Sequence, residues 1–217
     1  MILAIDTATR LISVALHDGD SVVAECTWRT ANHHTVELSP ALDDLFVRSG
    51  VCPANLAALA VCLGPGSYTG LRIGMSLAKG LSLAAVPSLP IVGIPTLDIV
   101  AAAQPRQADL LYAVIQAGRG RINVGVYNWQ EGIWQAAGSP YIATWTELAS
   151  QINLPAQLAG EIDARGKEAV RAVSDQISIA SPAQGLRRAS YLAELAYLKL
   201  KAGYNVAPDA LAPIYPA

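Results

Sequence analysis

The chain has 217 residues, 53% hydrophobic and 15% charged, with fifteen Lys and Arg against seventeen Asp and Glu for a net charge of −2. That balance excludes intrinsic disorder, which needs low hydrophobicity and high net charge. It equally excludes a protein that grips nucleic acid by an overall basic field. A core-rich globular protein of one medium or two small domains remains, with an apolar patch kept for a protein partner.

The opening Met1-Ile2-Leu3-Ala4-Ile5-Asp6 has no basic leader and meets a carboxylate at once, so it does not read as a signal peptide. Gly80 to Leu97 carries no charge, but Pro87, Pro90 and Pro95 interrupt it, and no membrane segment is expected. Cys26, Cys52 and Cys62 are an odd set without C-x-x-C, which points away from a disulfide framework or a zinc ribbon. The expected compartment is a reducing cytoplasm, each Cys behaving as a small buried hydrophobe.

In chain order, Ile2 to Ile5 and Leu11 to Leu16 read as strands joined by a turn at Asp6-Thr7-Ala8-Thr9. Asp18-Gly19-Asp20 is a hairpin signal leading to a third strand, Ser21 to Trp28. Leu38, Ala41, Leu42, Leu45 and Phe46 form one helical stripe, and Gly50 is its stop. Leu56 to Leu63 reads as a strand buried on both faces, ended by Gly64-Pro65-Gly66. Ser67 or Thr69 caps the helix that follows. There Gly70, Gly74 and Ala78, four residues apart, make a smooth side that another backbone can approach.

A strand at Pro90 to Gly93 and a helix from Thr96 to Ala103 lead to a domain boundary at Pro105 to Asp109. Leu110 to Ile115 and Ile122 to Trp129 read as strands around Gly118-Arg119-Gly120, a second antiparallel start echoing the first. An aromatic cluster with Trp129, Trp134, Tyr141 and Trp145 follows, read as core or sheet-face packing because no basic track accompanies it. A strand at Gln157 to Ala159 and helices at Ala164 to Ala172 and Ala189 to Lys201 complete this half. The expected domains are 1–104 and 105–217.

Two segments have the form of phosphate-binding turns: Asp6-Thr7-Ala8-Thr9 between strands, and Gly64-Pro65-Gly66-Ser67-Tyr68-Thr69-Gly70 between a strand and a helix. The candidate nucleotide-contacting residues are therefore Asp6, Thr7, Thr9, Gly64, Gly66 and Ser67. The bland reading is that they satisfy turn backbone. No Lys follows Gly70, as a P-loop requires, and three residues separate Gly66 from Gly70 where a dinucleotide loop has two. Ser67 is not a nucleophile elbow, since Gly66 directly precedes it. Adjacent His33 and His34 point apart, so a protein-built metal site is not expected and they read as a polar lead-in to the helix. Asp43 with Asp44, and Glu161 with Asp163, read as solvated positions.

The opening motif, His33-His34-Thr35, and Gly64 through Gly74 followed by Ala78-Lys79-Gly80-Leu81 together closely resemble the TsaB family, also called YeaZ. The likeness is dense to about residue 98 and weak beyond Tyr127, apart from the Pro213-Ile214-Tyr215 ending. It implies an α/β fold of the actin-like, sugar-kinase-like type, with two ribonuclease-H-like lobes, the second reduced. It also implies a non-catalytic subunit that binds and activates TsaD, its paralogue. TsaD transfers a threonylcarbamoyl group from its adenylate to adenosine in tRNAs reading codons that begin with A. The implied partners are TsaD and TsaE, with tRNA met only through TsaD and a homodimer when the chain is alone. No cofactor is required, with ATP or ADP at the partner boundary as an option.

The resemblance also assigns the partner interface to Leu38, Leu42, Leu45, Gly70, Arg72, Gly74, Met75 and Ala78. The paralogue's H-x-x-x-H metal motif falls on Thr96 and Val100, which bind no metal of that kind. Gln116-Ala117-Gly118 stands where family members often have Asp-Ala-Arg, and Tyr215-Pro216-Ala217 where a longer basic tail is usual. The alternative is a stand-alone ATP-dependent phosphotransferase using Asp6, Thr7, Thr9 and the glycine loop. It would need acidic residues and a phosphate loop in the second half, where only Gly160-Glu161 offers one.

Overall fold

Runs of Ile, Val, Leu and Ala build β1 (Ile2–Asp6), β2 (Leu11–His17) and β3 (Val22–Arg29) into an antiparallel meander. The structure, a computed structural model, describes residues 1–31, 33–204 and 211–214. The β2–β3 turn is the expected Asp18-Gly19-Asp20. Asp18 accepts from the Asp20 and Ser21 N–H groups at 2.9 and 2.7 Å, and Gly19 takes a positive φ of +109°. β4 (Ala58–Gly64) and β5 (Ile91–Pro95) add parallel to β1, giving the order β3-β2-β1-β4-β5.

The crossovers are α1 (His34–Ser49) and α2 (Tyr68–Ala84). α1 begins four residues before the stripe first expected at Leu38 and ends at a left-handed Gly50. α2 is capped by Ser67, whose hydroxyl accepts from Gly70 N–H at 3.2 Å. A short helix, α3 (Thr96–Ala102), follows β5.

The second sheet contains β6 (Leu110–Gly118), β7 (Arg121–Gln130), β8 (Ile133–Ala136), β9 (Tyr141–Thr144), β10 (Ala156–Gly160) and β11 (Ile177–Ile179). From β8 it runs β8-β7-β6-β10-β11, with β9 also paired to β7. β6 pairs antiparallel to β7 and parallel to β10, and β10 pairs parallel to β11, the same scheme as β1 with β2, β4 and β5. The echo of the first half is thus topological. Beside this sheet are α4 (Trp145–Gln151) and α5 (Ala164–Arg171). Strands β8, β9 and β11 and helix α4 were not expected from the sequence, although Thr144 and Glu147 form a capping box around the start of α4.

Strands β1, β2, β4 and β5 of the first sheet are buried on both faces by residues that alternate along each strand, and edge strand β3 is exposed or half-buried. Leu3, Ile5, Ile12, Val14, Leu59 and Val61 pack with Leu38, Leu42 and Leu45 of α1 and Met75 and Ala78 of α2. The other face is lined by Ala4, Ala15, Ala58 and Ala60 and carries the last helix, α6 (Ala189–Lys201), which lays Ala189, Leu192, Ala193 and Ala196 against it. Small residues on both sides bring this helix close to the strands.

α6 has no cap of its own. Its first N–H groups are met by strand side chains: Ala189 N–H by Ser13 Oγ at 2.8 Å and Ser190 N–H by Glu25 Oε1 at 2.9 Å.

These contacts correct the expected domains. One unit is Met1–Ile99 with Arg188–Ile214, and the other covers Val100–Arg187. The first division falls inside α3 rather than at Pro105. The final helix, assigned from its position in sequence to 105–217, belongs to the first unit because its alanine face matches that sheet's alanine-lined side. Trp145, Leu148, Val170, Val114, Val124 and Leu158 form the core of the second unit.

Candidate functional site

The turn between β1 and β2 and the glycine loop after β4 interlock. Asp6, Thr7 and Ala8 are fully buried, and Asp6 Oδ1 accepts from Ala8 N–H at 3.0 Å. Thr9 Oγ1 accepts from Leu11 N–H at 3.1 Å, closing the turn on itself. Thr7 Oγ1 donates to the Gly70 carbonyl at 2.7 Å, and Ser67 N–H donates to the Ala8 carbonyl at 2.6 Å. A Cβ at Gly66 or Gly70 would strike the carbonyl oxygens of Ala8 and Thr7, and one at Gly74 would strike the Thr7 hydroxyl. Gly64 takes φ +108° and donates its N–H to Thr96 Oγ1 at 3.1 Å.

The two turns that carry the candidate nucleotide residues are therefore brought together and packed on each other, while Gly64 is held by Thr96. The N–H groups of Ala8, Leu11, Ser67, Gly70 and Leu71 all have acceptors within the chain. These five N–H groups are spent inside the chain and are not among the unpaired donors that a phosphate needs. Thr96, one of the two positions matched to the paralogue's histidines, is a buried hydroxyl holding the glycine loop. Val100, the other, is buried core.

The residues first assigned to a partner interface sort differently. Leu38, Leu42, Leu45, Met75 and Ala78 are buried on the sheet side of their helices, and Gly70 and Gly74 lie under Thr7. The backbone that approaches the glycine face is the chain's own. Arg72 alone of that set is exposed. It stacks over Tyr68 at 3.9 Å from the ring centroid, and Tyr68 is 55% exposed.

Outward stripes lie on the opposite sides of the same helices. Val36, Pro40, Asp43 and Val47 run along α1, and Tyr68, Arg72, Ser76 and Leu83 along α2. Val36, Val47 and Leu83 are each more than 70% exposed. At the end of α2 a groove of about 690 Å³ is lined by uncharged residues including Leu56, Leu81, Ala84, Val86 and Leu89. It accounts for part of the chargeless stretch from Gly80.

His34 is buried in the first turn of α1, with Nε2 3.0 Å from the Thr9 carbonyl. Exposed His33 lies 3.9 Å from Glu37. The Glu37 carboxyl is held below its ordinary pKa, chiefly by a hydrogen bond from Trp28 Nε1 at 2.8 Å and then by one from Thr30. Cys62 is buried as expected, but Cys26 and Cys52 are exposed.

Asp163 caps α5 through Gly166 N–H. Glu161 is not a solvated position: it accepts from Gln116 N–H at 3.1 Å and pairs with buried Arg187 at 3.2 Å. Trp129 and Trp134 meet edge to face, and Trp145 is buried against α5. Among the described residues no group of three or more His, Cys, Asp or Glu is placed to hold a metal, and no helix is long and apolar enough to cross a membrane. Tyr215 to Ala217 lie outside the described residues.

Two sheets of the same strand order, the first opening on an Asp-Thr turn, define the actin-like, sugar-kinase-like class. The ROK hexokinase from Thermus thermophilus shares the fold at a TM-score of 0.52 and 13% identity, over 92% of this chain and 99% of that one. The family model described as "TsaD: tRNA N6-adenosine threonylcarbamoyltransferase" matches residues 28–201. The tRNA threonylcarbamoyladenosine biosynthesis protein TsaB of Bacillus subtilis (strain 168) is 31% identical over 215 residues, 97% of this chain and 93% of that protein. YeaZ from Pseudomonas aeruginosa superposes with a TM-score of 0.79 at 27% identity, covering 99% and 98% of the two chains. The chain belongs to the TsaB (YeaZ) family, related to TsaD.

Proposed function

We propose that this chain is the accessory subunit that docks on TsaD and orders it for threonylcarbamoyl transfer to adenosine in tRNAs reading codons that begin with A. The observation that carries the reading is the pair of outward stripes on α1 and α2. They combine exposed Val36, Val47 and Leu83 with a Tyr68–Arg72 stack, and Tyr and Arg are the residue types that dominate binding energy at interfaces. A protein of net charge −2 has little attraction of its own for tRNA, so the nucleic acid is met through TsaD.

In this reading TsaE joins the TsaD-bound form, and the same stripes pair two copies when TsaD is absent. The chain works in the cytoplasm and has no independent activity. Docking in this reading needs no nucleotide, in keeping with the Ala8, Ser67 and Gly70 N–H groups being engaged inside the chain. The test is reconstitution of tRNA modification from cognate TsaD and the adenylate-forming enzyme, with and without this chain. Modification should fall to background on its omission, and unchanged modification overturns the proposal. Tyr68→Ala should weaken the TsaD complex by about thirtyfold, the size of a hot-spot truncation, read by titration calorimetry with the melting temperature unchanged.

A further inference from the structure

The stripes on α1 and α2 are only as well placed as the helices that carry them, and both helices are tied at their N-terminal ends to one four-residue turn. On the α2 side, Thr7 Oγ1 donates to the Gly70 carbonyl at 2.7 Å, and Ala8 carbonyl accepts Ser67 N–H at 2.6 Å. The Thr7 side chain occupies the space that a side chain at Gly74 would fill. On the α1 side, His34 Nε2 lies 3.0 Å from the Thr9 carbonyl. A carbonyl only accepts, so His34 carries its proton on Nε2 and donates to it.

Thr7, Thr9 and His34 are all buried. The outward residues start close by: Val36 is two residues beyond His34, and Tyr68 directly follows Ser67.

We infer that the turn Asp6–Thr9 is a positioning clasp for the docking surface, with Thr7 and His34 as positioning residues that set TsaD affinity without touching TsaD. The inference rests on the reading that the α1 and α2 stripes bind that partner. Its chemistry is the registration of two helix ends by buried, directional hydrogen bonds, where hydrophobic packing alone would allow sliding. The turn, shaped like a phosphate-binding loop, takes helix backbone as its ligand. The Gly70 carbonyl is the acceptor for the Thr7 hydroxyl, and the glycines at 66, 70 and 74 make room for the turn.

The test uses the full chain and purified TsaD. Thr7→Val keeps the shape and removes the hydroxyl, and Thr7→Ser restores it. His34→Phe keeps the ring and removes the donor, and His34→Gln returns a donor. Loss of one buried hydrogen bond should raise the Kd for TsaD roughly tenfold in Thr7→Val and in His34→Phe, with Ser and Gln recovering most of it. Val170→Ala, a core change in the other unit chosen to match the loss in melting temperature, should leave Kd unchanged.

In a double-mutant cycle, Thr7→Val and Tyr68→Ala should be non-additive, because Thr7 acts by placing the α2 contact that Tyr68→Ala removes. Wild-type affinity in folded Thr7→Val and His34→Phe overturns the inference. So does a Kd that merely tracks melting temperature, Val170→Ala included. Should Thr7→Val fail to fold, the His34 pair alone decides. Absence of any complex with the wild-type chain would overturn the docking reading itself, a result distinct from either.

Discussion

Gly74 lacks a side chain because the Thr7 hydroxyl fills that space, and this single contact reverses the first interpretation of the glycine stripe. Gly74→Ala therefore attacks the fold of the isolated chain, at a cost of about 1–3 kcal/mol for overpacking. Thermal unfolding of the chain without any partner checks it, and an unchanged melting temperature would contradict the packing. Glu37 offers a second test. Its lowered pKa, set first by the Trp28 indole and then by Thr30, stabilises the fold above the unfolded glutamate value. That contribution fades as pH falls through the lower folded value. Trp28→Phe should move the carboxyl back up toward the ordinary range in an NMR titration, with the Thr30 bond retained.

At the scale of elements, α6 shows how a helix can be legible while its place is not. Its stripe and its Gly203 stop are local, so the helix was read at its observed limits. Its destination depends on the alanines of β1, β2 and β4 and on capping by Ser13 and Glu25, more than 160 residues away in sequence. Glu25→Ala removes the acceptor for Ser190 N–H and the pairing with Arg188. It should destabilise the first unit by about 1–2 kcal/mol, as loss of a helix cap does, measurable by urea unfolding.

For the whole molecule, low charge has two sources. Strands β1, β2, β4 and β5 of the first sheet are covered on both faces, which places many apolar residues inside, and exposed Val36, Val47, Tyr68 and Leu83 lie on α1 and α2. Association through that surface should be weakly dependent on salt, since Arg72 is stacked on Tyr68 and the stripes are mostly uncharged. Sedimentation of the TsaD complex at 50 and 500 mM salt tests this, and dissociation at the higher salt would contradict it.

By itself the sequence determined the longer strands, the main helices and the family, because periodicity, caps and turn residues are local signals and the glycine-rich motif is long enough to be specific; the three- and four-residue strands β8, β9 and β11 are too short to show a period and were not legible. It could not determine which side of a helix meets a neighbour when both sides hold small or apolar residues. Leu38, Leu42, Leu45, Gly70 and Gly74 had the composition of an interface, and only the packing of Thr7 and the first sheet against them made them core. The division of the chain was likewise decided by tertiary structure, because the segment that completes the first unit arrives after the second has been built.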